Sequence, residues 1–109
     1  MKAVLVKVGE PHKVIDVEND LKALQRMVGG FIEVVPYNAP THGIFIVCDE
    51  EGKRKKKKPN RLVVVRNRVV GVIAGDFVLV GREGEEFIDL TPEQLKYIDR
   101  TISAGRLFY

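Results

Sequence analysis

Two adjacent glycines, Gly29 and Gly30, separate a short helical stripe from an alternating apolar run and so fix a corner of the fold. Leu21, Leu24 and Val28 recur at i, i+3 and i+7, which predicts one buried stripe over about two helical turns. Glu18-Asn19-Asp20 precedes the stripe, and a short polar side chain there accepts the orphan amide hydrogens of the first turn. Glycine at the exit takes positive φ without a Cβ penalty, so the helix ends at Val28 and the chain leaves it sharply. Phe31 to Val35 then reads as a strand that Pro36 ends, with Glu33 interrupting its apolar pattern. The corner dictates architecture and leaves the chemistry open.

The remaining elements follow from period and punctuation. Lys2 to Val8 reads as a strand, with Val4, Val6 and Val8 on one face and Leu5 on the other. Gly9-Glu10-Pro11 is a turn, and His12 to Val17 the returning half of a hairpin. Residues 36–43 form a loop with two prolines, and Gly43 to Asp49 is a strongly apolar strand. Asp49-Glu50-Glu51-Gly52-Lys53 is a polar turn, and Pro59-Asn60-Arg61 the turn that opens the next strand, with Asn60 bonding local backbone. Leu62 to Arg66, Val69 to Ile73, Phe77 to Val80 and a short edge strand at Phe87-Ile88-Asp89 complete the β inventory. Thr91-Pro92-Glu93-Gln94 is a capping box with proline at the first helical position; Leu95, Ile98 and Ile102 follow at helical spacing and Gly105 closes the helix. The apolar tail Leu107-Phe108-Tyr109 packs on the sheet or contacts another chain. Irregularly ordered strands and helices of this kind predict one α+β domain over residues 1–109, with a mostly antiparallel sheet of six or seven short strands and two helices.

Charge is distributed unevenly. Residues 53–68 hold nine basic side chains (Lys53, Arg54, Lys55, Lys56, Lys57, Lys58, Arg61, Arg66 and Arg68) and no acid. Removing those nine charges from the total of +3 leaves −6 for the rest of the chain. The basicity therefore belongs to a hairpin loop at about 53–61 and the strands after it. The single cysteine, Cys48, excludes an internal disulfide and points to a reducing compartment. No apolar run reaches the roughly 20 residues of a membrane span, and the N-terminus lacks a signal-peptide layout. A cytoplasmic protein is expected.

Clustered cations release counterions from a phosphate backbone, which makes all nine basic residues candidates for sequence-independent nucleic-acid binding. The competing reading is a solvated, mobile loop held out of the core by self-repulsion. No Phe or Tyr lies between residues 46 and 76, so base stacking has no partner within the segment. Glu33, Asp49, Glu50 and Glu51 offer hard oxygen ligands, and Glu51-Gly52-Lys53 matches an E-x-K nuclease element, but the glycine puts that piece in a turn and no metal is expected. Cys48 ends an apolar strand, where cysteine behaves as a small hydrophobe, so a nucleophile–base pair with His42 is not expected. His12 and His42 have no Cys or His at zinc-ligand spacing. Gly29, Gly30, Glu33 and Asn60 are the candidate groove residues.

Leu21-Lys22-Ala23-Leu24-Gln25, Val28-Gly29-Gly30-Phe31-Ile32-Glu33, Asp49-Glu50-Glu51-Gly52-Lys53, Pro59-Asn60-Arg61, the Val70-Gly71 to Val80-Gly81 stretch and Phe87-Ile88-Asp89-Leu90-Thr91 occur in one order. Over about residues 2–100 this resembles a family of small uncharacterised proteins of phages, plasmids and bacteria, classed as a domain of unknown function. The resemblance implies a fold and a mobile-element context, with no activity attached. It also implies a short, mildly polar link where this chain carries six consecutive basic residues, so a function common to the family would not depend on that run.

Together these readings lead to a non-enzymatic accessory binding protein without cofactor, with nucleic acid as the favoured partner. The alternatives are a protein-interaction or inhibitor module that meets a host or viral protein, or its own copy, through an edge strand or the tail, and sequestration of a small anionic nucleotide by the later arginines.

Overall fold

Alternation along the strands builds a sheet that is apolar on both faces, and the rest of the chain covers those faces. The computed structural model describes residues 1–38 and 42–108. In strand β1 (Lys2–Val6), Val4 and Val6 point to one face while Ala3 and Leu5 point to the other, and all four are buried. The strand stops short of Val8, whose N–H takes the Asp76 carboxylate at 2.9 Å instead of a strand partner. β2 (Lys13–Asp16) folds back on β1, and β3 (Ile32–Tyr37) pairs with β4 (Ile44–Asp49). Between them at the centre lies β7 (Phe77–Glu83), whose Phe77-Val78-Leu79-Val80 run is fully buried on both faces. Its far half pairs with β8 (Glu86–Ile88). The resulting six-stranded antiparallel sheet has the order β2-β1-β7-β4-β3 with β8 beside β7.

One face carries helix α1 (Leu21–Val28), packed through Ala23, Leu24 and Val28 against Leu5, Val47, Val78 and Val80. The N-cap is Asp20, whose carboxylate accepts from the Ala23 N–H at 2.7 Å. Leu21, expected in the buried stripe, is exposed; Ala23 takes its place. The opposite face carries helix α2 (Pro92–Thr101) and a second sheet of β5 (Pro59–Val65), β6 (Arg68–Ala74) and β9 (Arg106–Phe108), in the order β6-β5-β9. The expected capping box is present: Gln94 N–H donates to the Thr91 hydroxyl and Thr91 N–H to the Gln94 amide oxygen. Tyr97, Ile98 and Ile102 bury with Phe77, Leu79 and Leu107 in the core beneath. The fold is thus α+β with two helices and a mostly antiparallel six-stranded sheet, as expected, to which a second sheet of three strands is added.

Two local expectations change. Pro36 does not end β3, because the strand lies at the sheet margin, where proline is tolerated, and it runs on to the buried Tyr37. The loop expected at 36–43 lies partly outside the described residues. Gly105 does not close α2, whose C-cap is Ile102; its carbonyl accepts from Leu62 N–H at 2.8 Å. Within the tail Leu107 packs into the core, β9 runs parallel to β5, and the Tyr37 hydroxyl donates to the Phe108 carbonyl at 3.1 Å, while Phe108 keeps a partly exposed side and Tyr109 lies outside the described residues.

Pro59-Asn60-Arg61 is not a turn but the start of β5, with a bulge at Asn60. The bulge aims consecutive side chains inward, and both Asn60 and Arg61 are buried. Asn60 Nδ2 donates to the carbonyls of Val6 (2.9 Å) and Gly75 (2.8 Å), and its Oδ1 accepts from Arg61 Nη1 at 2.7 Å. It therefore staples the end of β1 to the β6–β7 turn and is no local turn former. Asn60→Ala should destabilise the fold by about 2–3 kcal/mol, since buried carbonyls lose their donor; urea unfolding monitored by circular dichroism measures it.

Candidate functional site

The period-two alternation of β4 sends Val47 to the α1 face and Ile46 and Cys48 to the opposite one. Asp49, next in line after Cys48, falls on the α1 face with its side chain 1% exposed. A carboxylate in that position needs compensating charge. Lys57 Nζ lies 2.7 Å from Asp49 Oδ2 and Lys55 Nζ 2.9 Å from the same oxygen, while Glu51 N–H donates to Oδ1 at 2.9 Å. Burial pushes the Asp49 carboxyl up, but the hydrogen bonds from Lys57, Glu51 and Lys55 outweigh it and hold the group down at about 2.

The same ammonium groups cap α1. Lys57 Nζ donates to the Val28 carbonyl at 2.8 Å and Lys55 Nζ to the Gly29 carbonyl at 3.3 Å, at the negative end of the helix dipole. Gly29 takes φ of 77° as C-cap, the expected use of a glycine there. Gly30 serves a different purpose. A Cβ on it would lie 2.6 Å from Lys55 Nζ and 2.7 Å from Asp49 Oδ1, so the ion pair fits only because residue 30 has no side chain.

The basic run consequently divides. Lys55 and Lys57 are used inside the molecule, and Arg61 is buried, its Nη2 on the Glu10 carbonyl at 2.9 Å and its Nε without a hydrogen-bond partner. Those three leave the candidate nucleic-acid set. Lys53, Arg54, Lys56 and Lys58 are exposed on a loop tied by the Lys55 N–H to Glu51 carbonyl (2.8 Å) and Lys57 N–H to Gly52 carbonyl (3.0 Å) bonds. Arg54 meets Glu51 at 2.6 Å, a surface pair that leaves its charge accessible. Arg66 and Arg68 flank the β5–β6 turn, at the other end of a strand roughly 20 Å long from its seven residues at ~3.3 Å each. The later arginines are therefore not gathered into one nucleotide pocket.

On the opposite face a cleft of about 360 Å³ opens between the two sheets. Val35, Ile46, Val63, Val72 and Ile73 line it, and Glu33, Glu50 and Lys53 stand around it. Of the candidate groove residues, Glu33 lines this cleft, Gly29 lines a separate open depression with Val28, Lys57 and Gly75, and Gly30 and Asn60 line neither. Cys48 also lines the cleft; burial, with the charges of Glu33 and Asp49, pushes its thiol up to about 11, so it stays protonated. His42 stacks on Tyr97 at 3.8 Å between centroids, and His12 meets Asp99 at 2.7 Å. Among the described residues no three His, Cys, Asp or Glu side chains converge as metal ligands. No helix there is long and apolar enough to cross a membrane.

One family model matches the chain, over residues 1–103, and its description is a domain of unknown function, DUF3846. The chain belongs to that family. No curated protein and no solved structure matches it.

In this DUF3846 chain no pattern within the lysine run marks which lysines turn inward, because that depends on where the α1 C-terminus lies relative to β4. Phe31 was also missed. It follows Gly30 directly, its carbonyl accepts from Glu50 N–H at 2.9 Å, and the residue is 66% exposed. Sequence reading assigned it to a strand and thereby hid it. Asp49→Asn should cost the DUF3846 chain about 2–3 kcal/mol, below the ~3–5 of a fully buried pair because both lysines keep solvent contact. The Asp49 contribution is complete above the ordinary carboxylate value near 3.8 and is lost as pH falls toward 2. Unfolding free energies between pH 6 and 2 should therefore drop more steeply for the native chain than for the Asn variant.

Proposed function

We propose that this chain is a non-enzymatic accessory protein of mobile-element type that binds nucleic acid without sequence preference through Lys53, Arg54, Lys56 and Lys58. The observation that carries this reading is the division of the basic run. With Lys55 and Lys57 anchored on Asp49 and α1, the four outward cations sit on a pinned loop and lose less conformational freedom on binding than a free tail would. Counterion release from a phosphate backbone needs charge and no base readout, which suits a lysine-rich loop without aromatic residues of its own. Phe31, exposed and bonded through its carbonyl to Glu50 at the start of the loop segment, adds an aromatic face, and base stacking on such a face is worth ~1–3 kcal/mol per base. An unpaired strand is accordingly favoured over a duplex.

Fluorescence anisotropy across a salt series tests the proposal with a labelled single strand and a labelled duplex. The native chain should bind both, with log affinity falling linearly against log salt. Replacing Lys53, Arg54, Lys56 and Lys58 together by Gln should flatten that slope by up to about 3–4, following ~0.7–0.9 per phosphate contact. Phe31→Ala should weaken the single strand and leave the duplex unchanged. Absence of binding by the native chain at low salt would remove the nucleic-acid reading.

A further inference from the structure

Both sheets end at the cleft between them. β3 is terminal in the first sheet and β6 in the second, and both supply lining residues together with β4 and the middle of β5. The cleft volume of about 360 Å³ stands near the lower end of the ~300–1,000 Å³ usual for small-molecule sites. Val35 and Ile46 line it from one sheet and Val63, Val72 and Ile73 from the other, with no aromatic ring, hydroxyl or side-chain amide among the lining residues. Cys48 adds a protonated thiol, which packs as a small hydrophobe. Such walls suit an aliphatic body and give a ring nothing to stack on.

Gly71 lines the same cleft, and nothing inside the molecule gives a reason for glycine there. The β5–β6 irregularity falls beside it, but a bulge asks for glycine only at positive φ, which Gly71 does not have. A Cβ on it would meet no atom within 4 Å. Gly52, the other glycine of the lining, differs: a Cβ there would strike the Ala74 carbonyl at 2.9 Å, so packing alone demands it. Within a strand, glycine also marks the place where a ligand comes close to the backbone.

Three charged side chains around the cleft, Glu33, Glu50 and Lys53, are exposed and make no ion pair among the described residues. The other cations of the loop are engaged or placed elsewhere. Lys55 and Lys57 neutralise Asp49, Arg54 pairs with Glu51, and Lys58 lines the separate depression beside Arg26 and Asp76. Lys56 lines neither cavity. Two free carboxylates therefore stand against one ammonium. The Cys48 thiol feels the same balance: after burial, Glu33 and then Asp49 push it up, and Lys53 pulls it down less strongly.

We propose that the cleft binds a small aliphatic amine, with its hydrocarbon body between the sheets beside Gly71 and its ammonium group at Glu33 and Glu50. Lys53 opposes that cation and limits its affinity. The proposal does not rest on nucleic-acid binding and is tested without it.

Hexylammonium, hexanol and hexanoate share one chain length and differ in charge. Each is titrated into the nitrogen-labelled full chain, and amide shifts are followed by nuclear magnetic resonance. Hexylammonium should bind most tightly and hexanoate least, with the shifts centred on Cys48 and on residues 71–73. Glu33→Gln should weaken hexylammonium by roughly two- to fivefold, the size of an exposed ion pair, and leave hexanol unchanged. Lys53→Gln should tighten hexylammonium by a similar factor. Gly71→Val should abolish binding of all three, and circular dichroism checks its fold; should that variant unfold, the charge series with Glu33→Gln decides. Tightest binding of hexanoate would mean that the lysine loop sets the sign at the mouth, and it overturns the amine, as does equal affinity for all three probes. Absence of any shift, or undiminished binding by a folded Gly71→Val, removes the cleft as the site.

Discussion

A single carboxylate organises this molecule. Asp49 ends a strand that is buried on both faces, and alternation sends its side chain toward the helix rather than to solvent. An ionised group in such a place is costly unless its partners come to it. Here they arrive from a loop six and eight residues downstream, and the same two ammonium groups take up carbonyls at the end of α1. The helix exit, the glycine without a side chain at position 30, the end of β4 and the whole lysine loop therefore share one electrostatic centre. Loss of that centre would free the loop and uncap the helix at once.

The chemistry of the two faces follows from the same alternation. Cys48 and Asp49 are neighbours in sequence, yet one looks into an apolar cleft as a protonated thiol and the other into a cage of cations as a carboxylate. A single residue of register shift would exchange them and bury the charge in the cleft. That penalty helps to keep β4 in place between β3 and β7.

Sequence reading succeeded where the signal is local. The Thr91–Gln94 capping box, the glycine C-cap after Val28 and the β-branched runs that became β5, β6 and β7 depend on residues close together in the chain. It faltered where a residue's fate depends on a distant partner. Asn60 looked like a turn former and turned out to bridge Val6 and Gly75; its side chain is short and polar in either role, and only the bulge decides between them. Arg61 counted as a surface cation until the fold enclosed it. The lysine run carries no period that separates Lys55 and Lys57 from their neighbours, because the helix end that selects them lies almost thirty residues upstream. Glu33 stands out in the sequence by interrupting an apolar strand, but the cleft it lines depends on the second sheet, which nothing in the sequence sets against the first.

The position of β7 bears on how the chain comes into being. That strand is the central one, and β1, β4 and β8 all hydrogen-bond to it. During synthesis the first hairpin and the β3–β4 pair are made well before residues 77–83, each with an apolar edge that lacks its neighbour. Neither half can close its core until about three-quarters of the chain has emerged, so folding is gated by the late arrival of its middle piece rather than by growth from the N-terminus.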